Sequence, residues 1–159
     1  MTQVTLEAVY AKQTELAKLT ASLLAAVATP KTTRIEIPAA VVELRPGEHY
    51  AGEVLNEDGT LKHRLALVAV SPEAAHSWEG SAEFAKNLGY SRPTRDEARL
   101  LLANCRPHLP KEGWFWTDDA YEQNAAYAWS CHLGCGYTFI NPKSYEGLAV
   151  AVRLIPLTA

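Results

Sequence analysis

The order of the elements that the sequence predicts indicates an α+β protein. A hairpin pattern near residue 50 is followed by two helix patterns and then by four short strand patterns. Strands and helices thus occur in separate runs, whereas a parallel α/β protein would alternate them. One further helix pattern precedes the hairpin, so we expect a single α+β domain with an N-terminal helical appendage.

Composition restricts the classes of function. The 159 residues are 48% hydrophobic and 21% charged, which is typical of a globular protein. The net charge is −3 and no basic block occurs, so we expect no nucleic-acid partner. No apolar run is long enough to cross a bilayer, so we expect no membrane insertion. The N-terminus lacks the pattern of a secretory signal, so we expect the protein to be made and kept in a cytoplasm unless an assembly carries it out.

Residues 5–28 form the first predicted helix, and residues 1–30 form an N-terminal oligomerisation segment. Thr5 is a candidate N-cap, and Thr29 and Pro30 end the pattern. The alternating three- and four-residue spacing of a coiled-coil seam runs through the helix. The seam consists of Leu6, Val9, Gln13, Leu16, Thr20, Leu23 and Val27. We therefore predict self-association, with an amphipathic helix packed on its own domain as the alternative.

Residues 31–46 are predicted to be an extended connector. Ile35 and Ile37 alternate with charged residues, which is strand spacing, and Pro38 excludes a central strand. We expect this connector to pair at a sheet edge or to wrap a neighbouring subunit. The globular domain then covers residues 47–159.

The first part of the domain is predicted to be a hairpin followed by a helix. Strands at 49–55 and 63–70 flank a turn at 56–59 that is rich in Asn, Asp and Gly. A helix is predicted over 72–88, with Ser71 as cap, Pro72 in the first turn and Gly89 after its end. Its predicted apolar stripe is Ala75, Trp78, Ala82 and Ala85.

A second helix is predicted over residues 94–105. Thr94 and Glu97 have the spacing of a capping box, in which each side chain bonds to the backbone N–H of the other residue. The apolar residues behind this cap share one helix face, and they are Ala98, Leu101, Leu102 and Cys105.

After Gly113 the sequence predicts a small antiparallel sheet. Strand patterns cover 114–117, 126–132, 137–140 and 148–157, separated by turn residues. Polar loops are predicted at 118–124 and 141–144. Within these strands we expect Tyr127 and Trp129 to lie in the core, and we expect Arg153 to form an ion pair with Glu97.

Five motifs in this order resemble one known family. They are Pro93–Glu97, Trp116–Thr117, Ala126–Trp129, Lys143–Gly147 and Ala151–Arg153. Residues 47–157 resemble a phage and bacterial domain family of the C-type-lectin-like superfamily, typified by the C-terminal domain of a collagen-like adhesin and distantly akin to formylglycine-generating enzymes. The resemblance implies a C-type-lectin-like fold, a frequent home in phages, and a binding rather than a catalytic role. It also implies that the N-terminal helix is a trimerising stem.

The chain departs from the animal C-type lectins in its cysteines and its candidate metal ligands. Its three cysteines, Cys105, Cys131 and Cys135, do not supply paired disulfides. The sequence contains no Glu-Pro-Asn or Gln-Pro-Asp triplet, with which C-type lectins bind sugar through calcium. The spacing of His108 and His132 relative to the cysteines is not that of a zinc site. We therefore predict no metal and no cofactor. Cys131 and Cys135 flank a turn, so a reactive pair is the alternative to two structural thiols.

Aromatic and amide side chains late in the chain are the candidate ligand contacts, because they combine flat faces with polar tips. The predicted binding residues are Tyr121, Asn124, His132, Tyr137, Asn141 and Tyr145.

These observations and the resemblance give one functional hypothesis and two alternatives. The first is a non-enzymatic, trimeric binding module of a phage particle, a head or tail fibre or decoration protein. Its partners would be other virion proteins and a cell-surface glycan or protein. The second is a phage protein that acts in the host cytoplasm by binding and inhibiting a host defence protein. The third is a cysteine-dependent enzyme related to formylglycine-generating enzymes.

Overall fold

A computed structural model describes residues 5–28 and 41–156, without the side chains of residues 26–28. The chain divides into two compact units, Met1–Val41 and Val42–Ala159. The division falls inside the predicted connector. Residues 31–40 of that connector lie outside the described part of the chain, and residues 41–45 form no helix or strand. The protein is α+β, as predicted.

The first unit contains helix α1, Leu6–Ala28. The amides of Ala8 and Val9 donate to the Thr5 carbonyl at 3.1 and 3.2 Å, so the helix begins immediately after Thr5. Every described side chain from Thr5 to Ala25 is exposed. The leucines of α1 are therefore exposed to water.

The second unit contains two helices and two three-stranded antiparallel sheets. The first sheet has the order β1–β2–β6 and the second β3–β4–β5. The last strand of the chain therefore pairs beside the first hairpin. The elements are β1 His49–Leu55, β2 Leu61–Val70, α2 Trp78–Asn87, α3 Arg95–Asn104, a 3-10 turn Arg106–His108, β3 Trp114–Ala120, β4 Tyr127–His132, β5 Thr138–Pro142 and β6 Val150–Ile155.

The core lies where α3 packs between the two sheets. Apolar side chains from both sheets and from α3 are removed from water there, and this burial is the main driving force for folding. Its fully buried members include Leu65, Leu101, Phe115, Val150 and Val152. The core residues Ala98, Leu101 and Cys105 lie on the predicted apolar face of α3, and Leu102 packs against them from the edge of the core.

The cap of α3 is confirmed. The Thr94 hydroxyl accepts from the Glu97 amide at 3.3 Å, and Glu97 Oε2 accepts from the Thr94 amide at 2.8 Å. Both bonds of the capping box are therefore present.

The predicted start of α2 is wrong. The helix begins at Trp78, and its cap is Ser77, whose hydroxyl accepts from the Gly80 amide at 3.1 Å. The Ser71 hydroxyl instead accepts from the Ala149 amide at 2.9 Å, and its amide donates to the Ala149 carbonyl at 2.8 Å. These bonds hold Ser71 beside the start of β6, so it does not cap a helix. The buried side of α2 is Ser81 and Ala85.

Two of the predicted loops are partly strand. β3 continues through Asp118 and Asp119 to Ala120, and β5 includes Asn141 and Pro142. The Asp118 amide donates to the Pro93 carbonyl at 2.8 Å, which keeps this polar segment extended. The polar composition of these segments therefore predicted the ends of β3 and β5 incorrectly.

The predicted ion pair between Arg153 and Glu97 is also wrong. Arg153 binds Glu48, with Nε to Oε1 at 2.7 Å and Nη2 to Oε2 at 2.5 Å. Glu97 Oε1 instead lies 2.8 Å from His63 Nε2. Arg153 is on β6, beside the segment that leads into β1, whereas Glu97 lies in the first turn of α3 and faces β2.

Candidate binding face

The register of the second sheet places several aromatic side chains on one face. Trp114 lies opposite His132, and Trp116 opposite Ser130. Ser130 in turn lies opposite Phe139. Residues directly opposite each other in an antiparallel sheet share a face. The same face continues to Tyr137, whose carbonyl accepts from the His132 amide at 2.9 Å.

This surface is called the aromatic face below, and it consists of Trp114, His132, Tyr137, Phe139 and Asn141. Its exposure increases from β3 towards β5. Trp114 and His132 are partly buried, whereas Tyr137 is 69% and Phe139 47% exposed. The rings of Phe139 on β5 and of Tyr137 just before it are not part of the core, so they are free to contact a ligand.

The rings of the face are held in place by a buried neighbour on the same side of the sheet. Trp114 packs edge-on against the fully buried Trp116, with ring centroids 4.9 Å apart. The Trp116 indole N–H donates to the His76 carbonyl at 2.9 Å. Gly147 lies against the Trp114 ring, and a Cβ at this position would meet three of its ring atoms within 3.0 Å. Trp114 therefore occupies its position because residue 147 has no side chain.

The face also carries polar groups. The Asn141 amide nitrogen donates to the Ser130 hydroxyl at 2.8 Å, and Ser130 donates to the Phe139 carbonyl at 3.3 Å. The side-chain carbonyl of Asn141 has no hydrogen-bond partner within the described residues and is free to accept. The Gly134 amide donates to His132 Nδ1 at 3.1 Å, so the proton of the neutral ring lies on Nε2.

The six predicted binding residues do not form one cluster. His132 and Tyr137 lie at one end of the aromatic face, whereas Asn141, which pairs with Ala128, lies towards its other end. Tyr121 and Asn124 lie in the turn between β3 and β4, at the opposite end of the sheet. Strand β4 spans roughly 17 Å at about 3.3 Å per residue, so Tyr121 and Asn124 do not form one site with His132 and Tyr137.

The other predicted residues have local structural roles. The Tyr121 hydroxyl donates to Gln123 Oε1 at 2.7 Å, and Asn124 Oδ1 accepts from the Ala126 amide at 3.0 Å. The Tyr145 amide donates to the Pro142 carbonyl at 2.9 Å in a turn, with its ring 56% exposed. Trp114 and Phe139 were missed by sequence reasoning, because their place on the face follows from strand register rather than from local pattern.

Cations stacked on tryptophans fix the opposite end of the second sheet. The guanidinium of Arg92 lies 4.3 Å and the ammonium of Lys143 4.1 Å from the centroid of the Trp78 ring. The Arg95 guanidinium lies 3.7 Å from the centroid of Trp129. Such cation–π contacts tie α2, the start of α3 and the loop after β5 together.

The prediction that Tyr127 and Trp129 lie in the core is wrong. Both are only partly buried, and Trp129 covers Arg95 at the edge of the sheet. The fully buried residues of β4 are Ala128, Ser130 and Cys131. The core on this strand therefore uses small side chains.

Buried Arg92 is the centre of this junction. It binds Asp118 Oδ1 through Nη2 at 2.8 Å and Nε at 3.2 Å. Its Nη1 donates to the Trp78 carbonyl and, at 3.0 Å, to the Ser81 hydroxyl. Next to it, the Arg95 amide donates to Asp119 Oδ2 at 2.7 Å. Because the hydrogen bonds of Arg92 and Asp118 are formed within the protein, this pair holds the fold, whereas Arg95 Nε is buried without a hydrogen-bond partner.

The three cysteines are free thiols. Burial raises the pKa of Cys131 to about 11 and also raises the pKa of Cys105. Cys135 is exposed, and its Sγ lies 3.4 Å from His132 Nδ1. A nucleophilic thiol requires a lowered pKa, so the environment of Cys131 disfavours the reactive-pair hypothesis. Within residues 5–28 and 41–156 no group of three or more His, Cys, Asp or Glu is placed to hold a metal ion.

No helix in the described part of the chain is long and apolar enough to cross a membrane. No protein-family model matches the sequence, and no curated protein matches it either.

Proposed function

We propose that the protein is a non-enzymatic binding module with a C-type-lectin-like fold, which associates through α1 and binds a cell-surface glycan on its aromatic face. The main supporting observation is the exposure of Phe139 on β5 and of Tyr137 just before that strand, beside Trp114 and His132. The arrangement of two helices with two small antiparallel sheets is consistent with such a fold.

A sugar fits the chemistry of this face. One side of a pyranose ring carries C–H groups and stacks on flat aromatic rings, while its hydroxyls need hydrogen-bond partners at the rim. The free Asn141 carbonyl accepts at one end of the face and the His132 Nε2–H donates at the other, so the two groups would contact different sugar units of a glycan. Aromatic rings lose little conformational entropy when they are covered, because they have only two rotatable side-chain bonds.

The exposed face of α1 supports self-association. Leu6, Leu16 and Leu23 of the seam are 75%, 65% and 66% exposed. Apolar residues also flank the seam, since Tyr10 and Leu24 occupy the positions one residue after Val9 and Leu23. A stripe of this width favours more than two helices around one axis, which fits a trimer.

The charged residues of α1 lie largely away from this apolar stripe. Glu7, Glu15 and Lys18 occupy the opposite side of the helix, and Lys12 at the edge of the stripe pairs with Glu15 at 3.5 Å. Packing of an amphipathic face contributes most of the stability of helices in proteins, so burial of the stripe against identical helices would stabilise α1.

Self-association and weak glycan binding fit together in this proposal. A trimer presents three aromatic faces, and simultaneous contact raises the apparent affinity of sites that are individually weak. The resemblance to phage domains supplies the setting, in which the protein is a fibre or decoration component of the virion. Its detection in purified particles of the encoding phage would support that setting, whereas its presence only in infected-cell cytoplasm would favour the inhibitor alternative.

A glycan array tests the binding function with a matched pair of variants. The full chain is compared with Tyr137→Ala, which removes a ring from the face, and with Tyr145→Ala, which removes an exposed ring elsewhere. We expect binding to a subset of glycans that Tyr137→Ala weakens about tenfold and Tyr145→Ala leaves unchanged. Absence of glycan binding, or equal effects of the two changes, would overturn the proposal. In that case a protein ligand becomes the hypothesis to test.

A further inference from the structure

A polar cavity lies on the first sheet and shares no residue with the aromatic face. It has a volume of about 240 Å³ and lies between the segment that links α2 to α3 and the outer part of β6. Its lining residues are Arg45, Gly89, Tyr90, Ser91, Val152, Arg153 and Leu154. All of them belong to the second unit.

One positive charge at this cavity, that of Arg45, forms no ion pair within the described residues, although it lies close enough to Glu48 to lower the pKa of that carboxyl. The two guanidinium bonds of Arg153 to Glu48 neutralise that arginine, and these bonds lower the pKa of the Glu48 carboxyl. The guanidinium of Arg45 contacts no carboxylate in the described part of the chain. Its Nη1 donates to the Tyr90 hydroxyl at 2.8 Å. Its remaining donors are available.

Further donors surround the same cavity. The Tyr90 hydroxyl accepts from Arg45, so its own proton is free to donate. The exposed hydroxyl of Ser91 has no partner within the described residues, while its backbone pairs with Val152. Gly89 adds no side chain, and a Cβ there would meet no atom within 4 Å. The wall is therefore open enough to admit a ligand.

The carbonyl groups in the last turn of α2 repel an anion in this cavity only weakly. Its terminal carbonyls are already used, since Ala85 accepts from the amides of Leu88 and Tyr90, and Lys86 accepts from Gly89. Leu154, which is 44% exposed, adds an apolar group to the lining.

We infer that this cavity binds a small organic carboxylate, such as an acidic sugar, through Arg45, Tyr90 and Ser91. The planar guanidinium matches the two oxygens of a carboxylate. A single unpaired positive charge balances a monoanion, whereas a phosphate monoester carries roughly −1.5 to −2 at neutral pH. The cavity is smaller than a typical site of about 300 to 1,000 Å³ for a drug-sized molecule, so the ligand is small.

Calorimetric titration of the full chain tests this inference with three probes. Glucuronate is the carboxylate, glucose its neutral counterpart and inorganic phosphate the competing anion. We expect saturable binding of glucuronate, no binding of glucose and weaker binding of phosphate. Absence of glucuronate binding, or tighter binding of phosphate, would overturn the inference.

Variants assign the binding to the cavity. Arg45→Gln should weaken glucuronate binding about tenfold or more, and Tyr90→Phe about two- to tenfold. Lys111→Gln removes the same charge from an exposed position and should have no effect. Tyr137→Ala should also leave glucuronate binding unchanged, which separates this cavity from the aromatic face. Equal affinity in Arg45→Gln and the unmodified chain would contradict the assignment.

Arg45→Gln keeps the bond from residue 45 to Glu48 Oε2, because that bond comes from the backbone amide. Thermal unfolding confirms the fold of each variant. Arg45→Lys provides a second test, since it keeps the charge and loses the planar pair of donors. We expect an affinity between those of the unmodified chain and Arg45→Gln.

Discussion

The Glu97 carboxylate and the His63 imidazole lie 2.8 Å apart in the interior and join α3 to β2. Their side chains are only 5% and 11% exposed. The second oxygen of Glu97 accepts from the Thr94 amide at 2.8 Å. One buried carboxylate therefore completes a helix cap and connects that helix to the first sheet.

Removal of this carboxylate should strongly destabilise the domain. Glu97→Ala leaves the Thr94 amide and the His63 ring without their partner, and we expect a loss of about 2 to 4 kcal/mol in the free energy of unfolding. Urea denaturation followed by circular dichroism measures it. The control is Asp96→Asn, because Asp96 is 83% exposed in its pair with Arg99 and should contribute about 0.5 kcal/mol or less. Similar losses in both variants would refute the structural role of Glu97.

The pair of Glu48 and Arg153 should make stability depend on acid pH. The hydrogen bonds from Arg153 hold the pKa of Glu48 below its ordinary value of 4.5. A lowered pKa in the folded state means that this contribution is complete above pH 4.5 and is lost as the pH falls below it. Glu48→Gln should therefore cost roughly 2 to 4 kcal/mol at pH 7.

The difference between the unmodified chain and Glu48→Gln should shrink progressively in denaturation curves below pH 4.5. Glu57→Gln changes an exposed carboxylate in the β1–β2 turn and serves as the control, with no effect on the pH profile expected. A constant difference between the unmodified chain and Glu48→Gln down to pH 2 would contradict the assigned titration.

The three thiols should differ sharply in reactivity. Cys135 is exposed, whereas Cys105 and Cys131 are buried with raised pKa values. Iodoacetamide at pH 8 should therefore modify one cysteine in the folded protein and three in denaturant, as mass spectrometry would show. Cys135→Ser should remove the fast modification. Rapid modification of Cys131 in the folded chain would revive the reactive-pair hypothesis.

Charge in the apolar stripe of α1 should prevent self-association. Leu16→Glu combined with Leu23→Glu places like charges in the proposed seam, so we expect a trimer to become a monomer in sedimentation equilibrium at micromolar concentration. Glu15→Gln combined with Lys18→Gln changes the opposite side of the helix and should leave the trimer intact. A monomeric unmodified chain would exclude the stem.

Local signals were predicted well from the sequence. The cap of α3 depends on Thr94 and Glu97, which are three residues apart, and the β1–β2 hairpin depends on one short turn. The start of α2 was not predictable in this way. Ser71 and Ser77 are both suitable caps, and the choice depends on bonds between Ser71 and Ala149, 78 residues away.

Prediction of the candidate site from the sequence was limited in the same way, because the site depends on contacts between distant parts of the chain. His132, Tyr137 and Asn141 were predicted as binding residues, but their common surface with Trp114 and Phe139 follows only from the register of three strands. The partner of Arg153 was missed for a similar reason, because Glu48 lies 105 residues earlier in the chain. Contacts of long sequence separation depend on the packing of the whole domain.

The most direct test of the aromatic face as a ligand-binding surface is NMR of the aromatic side chains during titration with a glycan selected on the array. We predict that the largest chemical-shift changes fall on the rings of Trp114, Tyr137 and Phe139, with the rings of Tyr121 and Trp129 unchanged. Changes centred on Tyr121 and Trp129, with none on Tyr137 and Phe139, would contradict the proposed binding face.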